Sequence, residues 1–475
     1  MRSLIVGMTA GIVAAMPFVV RAEQKSVPAG TTVTVAAADV AAWASADIDI
    51  GAGATLCFSE PTADATFTGN ITGSGNFVAK FASSSVRPQV FIMQGNATGF
   101  TGAFFYTNVY LYAKSPQAVG NAPITIRMGY TGSTSLRSQF YGSAAGQPDY
   151  VYQNPLDIYV QINASALTVN ERAVLAGNVL HRYGAINGPG KITGNISTTS
   201  NALFFMNELH VEGSVSSEYP DGTKLTNNNG IFYLKGKTEG VTTFHAYGCY
   251  KPVYFEGDDL FGEDVVLQMG VGSGGGTGGL SGRIDLNGHS QVFKRVYFTA
   301  NDSVPGELRN IGGIDNTGAP ATITFANHDV GKWFYGCLDG HLSLSVAGSG
   351  LFGCAGPTNT MDGTLTHAGG GGNIAMGGAW PRLRRIESIN GGIVDIRATA
   401  KLNPKLNIID IDSSSKIKVA TDLTVYVRRL RIDGVDVPVG SYNRYTSGPT
   451  SGRFESSGGG TIVVTGVPGS MLIVE

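Results

Sequence analysis

The densest group of carboxylates in the sequence is EGDDLFGED, which gathers Glu256, Asp258, Asp259, Glu263 and Asp264 in one short stretch. Carboxylates held about 5 to 9 Å apart can serve as the acid and base of glycoside hydrolysis, and several oxygens together can hold calcium. Asp285 and His289 in DLNGH, and His328 and Asp329 beside Asn327 in ANHD, have the residue types of an acid–base couple. Both stretches also carry the Asp and Asn, with Gly in the first, that turn chemistry favours. No Gly-x-Ser-x-Gly nucleophile elbow accompanies either one. The seven histidines are scattered, without metal-ligand spacing.

Two stretches invite a phosphate reading. GVGSGGGTGGLSG at 270–282 contains no lysine, and Gly236-Lys237-Thr238 has its upstream glycine at 230, one residue too far for a P-loop. Both are expected to be turns. Cys57, Cys249, Cys337 and Cys354 show no Cys-x-x-Cys spacing, and four cysteines allow three complete pairings that spacing does not distinguish. The sequence therefore nominates no catalytic residue, no cofactor site and no metal site. The acidic stretch reads as a solvated loop, because a segment of equal length elsewhere carries the acid-free SPQAVGNAP at the same place.

That comparison rests on repetition. Residues 97–129 and 238–270 align without a gap at Gly99/Gly240, Thr101/Thr242, Tyr106/Tyr247, Met128/Met269 and Gly129/Gly270, and are read as two copies of one unit. A smaller phrase also recurs: Ile71, Gly73 and Gly75 beside Thr-Gly-Asn return as Ile186, Gly188 and Gly190. Repetition of this kind signals a stacked architecture. Aromatic residues are concentrated in both units, with Phe104, Phe105, Tyr106, Tyr110 and Tyr112 in the first and Phe244, Tyr247, Tyr250, Tyr254 and Phe255 in the second. On strands, those facing inward would form core ladders, and those facing outward would cover neighbouring coils or stack on sugars.

The elements that must position these residues are short strands. Glycine occupies 67 of 475 positions and charged residues only 14%, roughly twice the usual glycine share of about 7%. Each interior glycine costs a helix about 1 kcal/mol relative to alanine. TTVTV, RIDLNG, GIVDIRA, KIKVATDLTVYV and GTIVVTG alternate with period two, and only NERAVLAGNVL at 170–180 offers a helical pattern. The chain is expected to be all-β. A single core stops growing near about 250 to 300 residues, whereas a solenoid adds coils without limit. About 20 coils of about 20 residues, stacked about 4.8 Å apart, are predicted, with Gly73, Gly75, Gly188 and Gly190 at the corners.

The run from ITGSGNFVAK through GNATGFTGAFFYTNVYLYAKSPQAVGNAPITI resembles the autotransporter-associated β-strand repeat. Its parts would be Gly73 and Gly75, Phe91 to Met93, the Phe100-Thr101-Gly102 turn, and Val119-Gly120 before Ile124 and Ile126. IDLNGHSQVF at 284–293 is similar to another phrase common in such proteins. The resemblance covers residues 66–130, 185–300 and 390–466. It implies a right-handed parallel β-helix displayed at or beyond a bacterial outer membrane. The chain departs from the complete family pattern in closing on GTIVVTGVPGSMLIVE, with no room for a translocating barrel, so self-translocation is not expected.

MRSLIVGMTAGIVAAMPFVVRA reads as a secretory signal peptide over residues 1–22, with a basic start, an apolar stretch and a small-x-small end. Its removal takes Arg2 and Arg21 with it and moves the formal charge from −2 to −4, which gives no electrostatic reason to bind nucleic acid. The basic clusters Arg382, Arg384, Arg385 and Arg428, Arg429, Arg431 read as solvated strand faces. The expected organisation is a signal peptide at 1–22, a repeat-built solenoid at 23–436, and a polar loop with a capping strand at 437–475. The expected protein is an exported, non-enzymatic surface or extracellular structural element, adhesin-like, with glycans or other envelope or matrix proteins as partners and no transmembrane segment in the mature chain. The rival readings are a polysaccharide lyase or glycoside hydrolase on the same scaffold, or a glycan-binding protein without turnover.

Overall fold

The computed structural model describes residues 22–82, 88–129, 136–160, 165–228, 230–247, 252–270, 282–298, 307–310, 319–329, 331–334 and 336–466. All but the last residue of the expected leader, and Cys249, lie outside them. About half of the structure is strand and 3% helix, wound as a β-solenoid of about 16 turns. This is the all-β parallel β-helix that the alternation predicts. The coil count falls below 20 because some turns carry long excursions: Leu167 pairs with Ile186 one coil on, but Val266 pairs only with Arg295.

Three parallel sheets of eleven, ten and nine strands dominate the N-terminal part, and sheets of eight and five strands carry the stack onward. One coil shows the path. Ser165–Val169 joins the eleven-stranded sheet, Ala173–Leu175 the nine-stranded sheet, Val179–Tyr183 the ten-stranded sheet, and Ala185–Asn187 returns to the first. NERAVLAGNVL is thus strand, corner and strand rather than helix, since Ala173 to Leu175 are all buried and Gly177 turns the chain.

Alternation decides which side chains fill the interior. In Leu156–Val160 (LDIYV), Leu156, Ile158 and Val160 are buried, while Asp157 and Tyr159 face out. Parallel register then stacks like on like. Phe77 and Phe104 are register partners with ring centroids 5.4 Å apart, and diagonal contacts extend the ring cluster to Phe58, 5.1 Å from Phe77, and to Phe67 and Phe91, 5.1 Å from each other. Each such pair adds about 0.5 to 1.5 kcal/mol beyond the area it buries.

The corners explain the glycines. Gly177, Gly194, Gly213 and Gly236 lie one above another on successive coils. A Cβ on Gly194 would come within 2.1 Å of the Gly177 carbonyl oxygen, on Gly213 within 2.1 Å of that of Gly194, and on Gly236 within 1.8 Å of that of Gly213. Coils approach too closely there for any side chain. At the recurring phrase, Gly73 adopts φ +94°, and a Cβ on Gly75 or Gly190 would meet a carbonyl oxygen at 2.5 Å.

The two aligned segments are not two copies of one structural unit. Ala103–Thr107 and Ile124–Met128 belong to the ten-stranded sheet, whereas Val241–Tyr247 and Val266–Met269 belong to the eleven-stranded one. Tyr106 pairs with Ile126, but Leu267, aligned with Ile126, pairs with Phe244 rather than Tyr247. The register differs by three places, and an odd slip reverses the face each residue presents. Tyr106 is consequently in the core and Tyr247 is outside it.

Both ends are covered. The short helix Val40–Ala44 buries Val40 and Ala44 near the first coils. At the far end Thr461–Val464 pairs in parallel with Thr424–Val427, and Gly440–Tyr442 closes it antiparallel. The connecting loop lays Phe454 beside Ile417, whose N–H donates to the Arg453 carbonyl at 2.8 Å. Open strand edges would otherwise invite pairing with another chain.

Candidate functional site

The acidic stretch forms the loop between Val253–Phe255 and Val266–Met269. Its apolar centre anchors it, since Leu260 and Phe261 enter the core and Phe261 packs 4.9 Å from Phe244 and 5.0 Å from Phe293. Asp258, Asp259, Glu263 and Asp264 remain exposed. Asp258 accepts the Ser290 N–H at 2.7 Å and lies 3.5 Å from His289 Nδ1. No set of three His, Cys, Asp or Glu residues placed to hold a metal occurs among the described residues.

The other acid–base couples do not assemble. Asp285 is fully buried and pairs with Arg309 Nε at 3.0 Å, while His289 turns to Asp258. His328 is buried, with Nε2 3.2 Å from the Leu351 carbonyl. Asp329 pairs instead with Arg295 at 2.6 Å, and that guanidinium holds its carboxyl below the usual range. Gly236-Lys237-Thr238 is the corner already described and enters the strand Thr238–Glu239. Most of the glycine run at 270–282 lies outside the described residues.

The cysteines and arginines are likewise structural. Cys57, Cys337 and Cys354 are free thiols, each pushed up by burial. Cys337 and Cys354 stand on different sheets. The basic clusters are interleaved with acids: Arg385 with Glu387 at 2.7 Å and with Asp410, Arg431 with Asp410 at 3.2 Å, and Arg382 with Asp362 at 3.5 Å. Arg382, Arg385 and Arg431 are thus each balanced locally by a carboxylate.

Outward aromatic residues adopt two arrangements. On the nine-stranded sheet, register stacks Lys191, His210, Tyr233, Tyr254, Asp285 and Arg309 in one file. His210 and Tyr233 lie 3.7 Å apart and 18° from parallel, and Tyr233 and Tyr254 lie 5.1 Å apart and 13° from parallel. Their faces are spent on each other.

The eleven-stranded sheet is different. Its outer face holds a groove of about 420 Å³, lined among others by Tyr183, Ala185, Phe204, Lys224, His245 and Tyr247. Register builds it from adjacent files, Ala185–Phe204–Thr226–His245 and Asn187–Met206–Asn228–Tyr247. Small Gly184 and Ala185 leave the depression, and Tyr183 and Phe204 rise beside it, 38% and 36% exposed. His245 donates from Nε2 to the Gly270 carbonyl at 3.1 Å; burial first, and then the neighbouring Lys224 charge, lower it to about 4. Burial also lowers the Lys224 ammonium. No carboxylate is among the described residues that line this groove.

A second groove, on the ten-stranded sheet, contains Asp157 and Glu218. Burial pushes the Asp157 carboxyl up, but hydrogen bonds and charge from Arg127 at 2.5 Å and Arg182 at 2.9 Å outweigh it and hold it low. Glu218 accepts the Ser197 hydroxyl at 2.6 Å.

Of the groove residues, only Tyr247 stood out in the sequence. Phe204 and Met206 flank Phe205 in an alternating strand, which is the one signal that could have marked them. The fold and its site define a capped parallel β-solenoid with a lateral aromatic groove. Comparison with protein-family models, with curated proteins and with solved structures finds no match.

Proposed function

We propose that the chain is an exported, non-enzymatic solenoid that serves as a structural, adhesin-like element at the cell surface or outside the cell, as its resemblance to autotransporter-associated repeats implies. One observation carries the non-enzymatic part: the aromatic groove gathers no acid, and the groove that has two carboxylates holds Asp157 firmly ionised between arginines. A glycosidase needs a general acid whose pKa is raised, and here the shift has the opposite sign. No helix among the described residues is long and apolar enough to cross a membrane, a statement that leaves strand-built membrane proteins aside.

The test is fractionation of bacterial cells producing the tagged chain, together with a reducing-end assay on polysaccharides. Protein on the envelope or in the medium, with its leader removed and no sugar released, supports the reading. Retention in the cytoplasm, or steady release of reducing ends, overturns it.

A further inference from the structure

We propose that the groove on the eleven-stranded sheet is a binding subsite for an anionic saccharide, taking the C–H face of a uronate ring against Phe204 and Tyr183 and its carboxylate on Lys224.

Two observations converge on that ligand. The first concerns ring faces: Tyr233 and Tyr254 cover each other on the nine-stranded sheet, whereas Phe204 and Tyr183 contact no other ring among the described residues. Open aromatic faces are the surface on which the apolar side of a sugar rests.

The second concerns charge. Lys224 stands half-buried in the groove wall, and no acid forms an ion pair with it among the described residues. An ammonium drawn partly out of water is stabilised by an anion. His245 does not compete as a second cation, because it is neutral near pH 7 with its Nε2 proton on the Gly270 carbonyl.

The proposal adds a ligand to the scaffold reading and rests on it only for where that ligand would be met. Titration of purified protein is independent of cell fractionation, so the two fail separately. Calorimetry would compare a short glucuronate oligomer, its neutral methyl ester and benzoate on wild type, Lys224→Gln, Lys224→Arg and Phe204→Ala. The expected result is binding of the oligomer, a loss of at least about tenfold for the ester, equal weak binding of both by Lys224→Gln, and recovery in Lys224→Arg. Phe204→Ala weakens acid and ester alike. Thermal melts matching wild type confirm that these outward substitutions leave the fold intact. Equal binding of acid and ester by wild type, an unaffected Lys224→Gln, absence of binding at millimolar oligomer, or tighter binding of benzoate would each overturn the assignment.

Discussion

His181 and Thr198 share a 3.0 Å hydrogen bond inside the solenoid, on paired strands of the ten-stranded sheet. The imidazole Nε2 donates to the Gly184 carbonyl at 3.0 Å, so Nδ1 accepts from the Thr198 hydroxyl and the ring is neutral. Ser200 N–H donates to the same hydroxyl oxygen at 3.1 Å. A histidine in this place is satisfied rather than reactive.

Acid should therefore destabilise the protein well above the carboxylate range. Burial lowers both His181 and His245 from 6.5 to about 4. The unfolded chain takes each proton first, so the stability these residues contribute is complete above pH 6.5, falls as pH drops, and levels off near pH 4. The loss is about 2 to 3 kcal/mol for each by pH 4.5. Urea melts between pH 7 and 4.5 measure it, and His181→Gln should flatten part of the slope. A pH-independent midpoint would contradict the assignment. Asp412, held at about 2 against the effect of burial by bonds from Asn390 and Ser414, acts in a lower window, between its ordinary 3.8 and 2.

The glycine file gives a sharp contrast. Gly213→Ala places a methyl 2.1 Å from the Gly194 oxygen and should cost about 3 kcal/mol. Gly262→Ala meets nothing within 4 Å and should stay within about 0.5 kcal/mol. Equal melting temperatures would show that the coils separate freely at this corner.

Asp285 and Asp258 are both carboxylates of the candidate clusters and differ in consequence. Asp285→Ala leaves the nearly buried Arg309 with only the longer contact to Glu307 at 3.6 Å and should cost about 3 kcal/mol. Asp258→Ala, on an exposed loop, should cost less than about 1 kcal/mol. Chemical denaturation of both variants decides the matter, and a larger loss for Asp258 would make the acidic loop a structural brace.

Ending the chain after Val437 removes Phe454 and Thr461–Val464, and so uncovers the strand Thr424–Val427. Concentration-dependent association, read by light scattering during gel filtration, is expected from such an edge. A monodisperse monomer would show that the cap is dispensable.

The alternation in TTVTV and KIKV, and glycines such as Gly75 and Gly190, made the solenoid legible, because burial and close approach are decided within a few residues. The groove was not legible. Tyr183, Phe204, Lys224 and His245 come from successive passes of the chain, and only register unites them. Register depends on loop length, and a slip of three places is invisible in a gapless alignment, which is why Tyr106 and Tyr247 matched in sequence while facing opposite ways. The same local-versus-global divide separates Asp285 from His289: four residues apart, they serve Arg309 and Asp258.

The parallel stacking of whole turns has a mechanical corollary. Backbone hydrogen bonds of the long sheets run along the rod, so a pull on its two tips loads every junction between turns in series, while the sheets at any one junction share that load side by side. Rupture then begins wherever the fewest ladders bridge adjacent turns, and the extension at break reports the position of that weakest seam rather than the average strength of the rod.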